Sequence, residues 1–175
     1  MYKRQEVEIL TTCVKEFTAD WNENYYAAGT AVVEDITVRR FPVRRRDTQA
    51  FDRVNRKLMD GKQISPKEEQ IFVEEMVNSP QLYEYMRDAQ DEYGLYVFIP
   101  YMFGTTYYGM QVCPEKSVLI PCFHDEAYVY MRLFRQAYVK ARGMIYNAMP
   151  EMELANRVYD FTTTCLLYTS PSPRD

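Results

Sequence analysis

The sequence predicts a parallel α/β protein of doubly wound type, and three observations carry that expectation. Runs that are apolar throughout, "LYVFIP" (95–100), "SVLIPCF" (117–123) and "GMIY" (143–146), suit strands buried on both faces of a parallel sheet. Helical stretches lie between and after them, so strand and helix alternate. Two serine–proline pairs, Ser65-Pro66 and Ser79-Pro80, announce further helices upstream.

Taken in order, "VEILTTC" (7–13) is a short apolar, β-branched run that predicts a strand. "KEFTADWNENYYAAG" is irregular and polar-aromatic, as a connecting loop would be. "TAVVEDITVRRFPV" predicts two short strands around Glu34-Asp35, with Val32, Val33, Ile36, Val38 and Phe41 as their apolar members. A helix over 47–60 is closed by Gly61, in the position a helix C-terminus favours. Ser65, Pro66 and Glu68 supply a capping box for the next helix, and Ser79-Pro80 repeats the device for one that stops near Tyr93-Gly94. A short helix follows near 105–111. A longer one over 126–141 carries Tyr128, Met131, Phe134, Tyr138 and Ala141 on its buried face. The last helix covers 150–160.

The two ends differ from the rest. Residues 165–175, "CLLYTSPSPRD", have no apolar periodicity, and they back-translate residue for residue to a transposase-type sequencing adaptor. Residues 1–5, "MYKRQ", correspond to the same adaptor end in the opposite orientation. Both ends are therefore expected to be adaptor-derived flanks, with 165–175 an exposed coil, and 6–164 to be the natural protein.

The 175 residues carry a formal net charge of −4, and the flanks hold more basic than acidic side chains, so 6–164 is more acidic still. That balance disfavours nucleic acid as a partner. Cys13, Cys113 and Cys122 are widely spaced and form no CxxC, which argues against a disulfide framework or a zinc site and for a reducing, cytoplasmic location. No apolar run approaches the ~20 residues of a membrane span. A solvated strand end is the favoured account of the arginine cluster Arg39, Arg40, Arg44, Arg45 and Arg46; the alternative is peripheral contact with an anionic membrane surface.

Ligands of an open parallel sheet lie outside the carboxyl ends of its strands, and two such ends carry chemistry. After 95–100 come Gly104, Thr105 and Thr106 at a helix start, where amides and hydroxyls suit an anion or a sugar; a packed turn with an N-cap threonine is the simpler account. After 117–123 come His124, the only histidine, then Asp125 and Glu126. His124 either faces a ligand cleft, with the acids orienting it, or is a satisfied polar residue while Asp125 caps the next helix. No serine or cysteine elbow accompanies it. Neither GxGxxG nor a P-loop is present, so no cofactor is expected.

The segments "EVEILTTC", "DITVRRFPV", "FIPYMFGTTYYG", "SVLIPCFHDEAY" and "GMIYNAMPEMELANRVY", in this order, resemble the N-terminal domain of the retaining glycosyltransferases of family four. The resemblance covers essentially all of 6–164 and implies a GT-B enzyme, with two Rossmann-like domains facing across a cleft. It implies that His124 lines that cleft near the donor sugar and that Gly104, Thr105 and Thr106 sit on the acceptor-facing rim. The implied partners are a nucleotide-sugar donor and a sugar, lipid or protein acceptor. The family's first strand and glycine-rich loop should precede Glu6, and its nucleotide-binding half should follow Thr164. Residues 6–164 are thus expected to form an incomplete acceptor-side domain, inactive alone, in which the 7–13 and 95–100 strands either close up and pair directly or stand apart with unpaired edges. A non-catalytic α/β module for sugar or phosphate is the alternative.

Overall fold

A computed structural model describes residues 6–160 and 164–168; the flanks 1–5 and 169–175 lie outside them. Strand β1 (Glu8–Thr12) runs parallel to β3 (Ile36–Phe41), and β3 pairs antiparallel with β2 (Gly29–Val33). Val33 faces Ile36 across the hairpin, so Glu34 and Asp35 form its two-residue loop. Both have positive φ, 49° and 63°, the twist that a two-residue hairpin turn demands.

Helix α1 (Thr48–Met59) begins where the Asp47 carboxylate accepts the Ala50 N–H at 2.9 Å, and Gly61 follows it at φ 71°. The full Ser65–Glu68 capping box opens α2 (Pro66–Glu75). Ser79 does not repeat it at α3 (Pro80–Asp88): its hydroxyl donates to the Pro42 carbonyl at 2.7 Å, tying the helix start to the end of β3. α3 also ends five residues before the expected Tyr93, and a turn carries the chain into β4 (Tyr96–Phe98).

From β4 the chain alternates through α4 (Gly104–Gly109), β5 (Ser117–Leu119), α5 (Arg132–Tyr138), β6 (Gly143–Tyr146), α6 (Met149–Val158) and β7 (Thr164–Leu167). These four strands form one all-parallel sheet in the order β4-β5-β6-β7. The mixed α/β class with a parallel sheet flanked by helices is therefore what the alternating sequence predicted. Every step of the sheet moves in the same direction, so right-handed crossovers put α4, α5 and α6 on one face. Leu119, Met144 and Tyr146 of the strands are buried in the helix-covered core. On the other face Val97 and Leu166 are more than half exposed.

Two expectations fail here. The helix over 126–141 is broken: a 3₁₀ turn covers Ala127–Tyr130, Met131 is extended at ψ 129°, and α5 starts only at Arg132. The cause is distant in sequence. Glu69 of α2 is buried, and its carboxylate accepts the amides of Arg132 and Leu133 at 2.8 and 3.0 Å, fixing a helix start at that point. The coil expected from 165 onward is instead strand through 167. Met144, Ile145 and Tyr146 are in register with Cys165, Leu166 and Leu167, and Cys165 and Leu167 pack against the core. Three apolar residues beside the otherwise open edge of β6 satisfy its backbone groups and bury area together.

The core lies between the parallel sheet and the helices. Phe72, Phe134 and Tyr138 are fully buried, and Phe134 stacks on Tyr138 at 5.4 Å between ring centres. Each such ring contributes roughly 1.5–3 kcal/mol through burial. The Tyr138 and Tyr159 hydroxyls donate to the carbonyls of Tyr101 and Val129, so these two buried tyrosines keep their polar ends paired.

The strands do not form one continuous sheet. Among the described residues β1 has only β3 beside it and β4 only β5, and the two strands line one open groove of about 1600 Å³. A polar tie bridges the gap at the amino ends of the strands. Glu8 of β1 accepts Arg39 Nε of β3 at 2.9 Å and the Tyr93 hydroxyl from the turn before β4; Tyr93 meets the Tyr85 hydroxyl at 2.7 Å. Burial and then the Glu8 carboxylate push the Tyr93 phenol far above its ordinary range, so it stays a donor.

Candidate functional site

The turns after β4, β5 and β6 form the carboxyl edge of the parallel sheet, where such folds hold ligands. After β4, Gly104 heads α4 because nothing larger fits. A Cβ there would lie 2.7 Å from the Val77 carbonyl oxygen and 2.9 Å from that of Val73. Thr106 is buried, and its hydroxyl is spent on the Pro100 carbonyl at 2.8 Å. Thr105 and Thr106 both border the large groove, and Gly104 does not.

The turn after β5 is held from below by a residue the sequence did not single out. Glu151, buried at the start of α6, accepts the Phe123 amide at 2.9 Å and the Asn147 amide at 2.7 Å, joining the turns after β5 and β6. Nothing in its local sequence tells a glutamate of a helix's first turn that points outward from one that reaches back beneath a sheet. Cys122 adopts a left-handed φ of 57°. Burial, and then the Glu151 carboxylate, push its thiol up, so it is protonated at neutral pH and is no ready nucleophile.

His124 emerges from this turn exposed, and no described residue hydrogen-bonds its imidazole. Asp125 neither orients His124 nor caps a helix. It accepts the Tyr130 hydroxyl and Arg157, each at 2.6 Å, pinning the 3₁₀ turn to α6. Glu126 is exposed, and its amide bonds the His124 carbonyl at 2.9 Å. The strand end thus presents an imidazole free to donate or accept, and a carboxylate two residues on.

Glu126 also borders a second cavity, of about 580 Å³, between α1 and the turn after β5. Trp21, Phe51, Phe72 and Tyr128 form an aromatic wall along it, with successive ring centres 5.7, 5.2 and 5.6 Å apart. Asn55 accepts the Tyr128 hydroxyl at 2.7 Å. Trp21 lies in the segment expected to be a plain connecting loop, and only packing against α1 reveals its role.

The arginine cluster is mostly engaged within the protein. Arg39 bonds Glu8, Arg40 lies 4.7 Å from the Tyr26 ring centre, and Arg44 bonds Glu75 at 3.1 Å. Arg46 lies 4.7 Å from the ring centres of both Trp21 and Phe51, and burial lowers its pKa. Arg45 is the remaining member. Among the described residues no group of three or more histidine, cysteine and acidic side chains is placed to hold a metal ion, and no helix is long and apolar enough to cross a membrane.

No protein-family model, curated protein or solved structure matches this chain.

Proposed function

We propose that residues 6–164 belong to the acceptor-side domain of a retaining glycosyltransferase of GT-B type, with His124 at the edge of the sugar-transfer cleft. The observation that carries this reading is the exposed, unpartnered imidazole at the carboxyl end of a parallel strand. The ordered resemblance of five segments to that family and the four-stranded parallel sheet support it. The role suited to His124 is a hydrogen bond to a sugar hydroxyl as charge builds in the transition state. Stabilisation of the leaving nucleotide diphosphate would come from a second domain outside this sequence, so the 175-residue polypeptide alone should transfer no sugar.

The alternative, a non-catalytic binding module, draws support from the aromatic cavity, whose lining does not include His124. The test is a longer open reading frame containing 6–164, expressed whole and assayed with nucleotide-sugar donors. The transferase reading requires transfer with retained configuration, and a large fall in kcat for His124→Ala with unchanged circular dichroism. No turnover would favour the binding module, and full activity in His124→Ala would remove His124 from the reaction.

A further inference from the structure

The cavity between α1 and the turn after β5 has a chemistry of its own, independent of sugar transfer. Its volume of about 580 Å³ lies within the range of small-molecule sites, ~300–1,000 Å³. Its walls are aromatic rings, methionines and aliphatic groups; Asn55, Glu126 and the Tyr128 hydroxyl are the polar side-chain groups. Tyr128 already donates to Asn55. The Trp21 indole N–H is likewise spent, on the Phe17 carbonyl at 3.0 Å.

The charge distribution then discriminates among ligands. Among the described residues, Glu126 is the one acidic or basic side chain that lines the cavity. Arg46 lies against Trp21 and Phe51 behind the wall and does not line the cavity; its Nη1 is bonded to the Glu75 carbonyl at 2.7 Å. A phosphate or nucleotide would meet a carboxylate and no cation. A sugar would find few partners for its many hydroxyls. An apolar body with a positively charged end meets aromatic faces along its length and a carboxylate at one end.

We propose that this cavity binds a small organic cation, an ammonium group carried on an aromatic or aliphatic body. Because Arg46 already lies against Trp21 and Phe51, the cationic end belongs beside Tyr128 and Glu126, and the body lies along Trp21.

Trp21 is the only tryptophan of the chain and lines both this cavity and the large groove, so its fluorescence reports binding at either, and Glu126, which lines this cavity and not the groove, tells them apart. The 175-residue protein is titrated with phenethylammonium, and in parallel with 3-phenylpropionate, which has a similar body and the opposite charge. Saturable change with the cation is expected, with the anion at least about tenfold weaker. Glu126→Gln should remove most of that preference, whereas Glu115→Gln, at the amino end of β5 and outside the cavity lining, should leave it intact. Equal binding of cation and anion, an unchanged preference in Glu126→Gln, or no saturable change with the cation would each overturn the proposal.

Discussion

At the scale of single residues, two buried glutamates decide the shape of the candidate site. Glu151 ties the turns after β5 and β6, and Glu69 sets where α5 begins. Each carboxylate accepts two backbone amides, bonds that count for more than neutral ones because the acceptor is charged. Removing such an acceptor leaves the amides without the partner the fold gives them. Glu69→Ala is accordingly expected to speed hydrogen exchange at the Arg132 and Leu133 amides by about tenfold or more, equivalent to roughly 1.4 kcal/mol of lost protection. Amides of α6, held by a different glutamate, should exchange as before. Unchanged protection at residues 132 and 133 would mean that α5 starts there for another reason.

At the scale of elements, local signals and distant contacts compete for helix boundaries. α2 shows the local case. Ser65, Pro66 and Glu68 write its start into four consecutive residues, and Lys57 of α1 adds an ion pair to Glu68. The hydrogen bond from Lys57, followed by those from Ser65, lowers the Glu68 carboxyl to a pKa of about 2, against an ordinary value near ~4.3. A depressed carboxyl stabilises the folded form at pH values above its ordinary pKa and loses that contribution as pH falls toward 2. The start of α2 should therefore keep its exchange protection down to about pH 4 and lose it progressively between there and 2. In Lys57→Met, NMR titration should find the Glu68 carboxyl closer to its ordinary value; an unmoved titration would assign the shift to Ser65 alone. α3 shows the opposite case, since the same serine–proline pair is present and its hydroxyl is drawn off to Pro42.

At the scale of the whole molecule, the defining feature is the division into two sheets. A parallel strand ordinarily has neighbours on both sides and helices on both faces. Among the described residues β4 lacks one strand neighbour, and the face bearing Val97 and Leu166 lies open. Val7, Leu95 and Ile99 add further exposed aliphatic surface along the same groove. Unpaired strand edges beside apolar side chains template association. The 175-residue protein should bind anilinonaphthalene sulfonate and sediment with a concentration-dependent mass. Exchange should be fast at β1 and β4 and slow in β5 and β6, which are flanked on both sides. A strictly monomeric protein at high concentration, with no dye binding and uniform protection, would show that the groove is closed in solution.

The sequence by itself determined the strands β1, β5 and β6, the β2–β3 hairpin, the starts of α1 and α2, and the α/β class. Strand patterns, caps and two-residue turns act within a few residues of the chain, so they are visible one window at a time. It also placed His124 at a strand end. The tertiary structure alone decided that α5 starts at Arg132, that Cys165, Leu166 and Leu167 extend the sheet, and that Gly104 and Thr106 are packing residues. It alone gathered Trp21, Phe51, Phe72 and Tyr128 into one wall. Those outcomes depend on groups far apart in the chain. Glu69 is about 60 residues from the amides it holds, and no local pattern records which distant carboxylate, carbonyl or open strand edge a segment will meet.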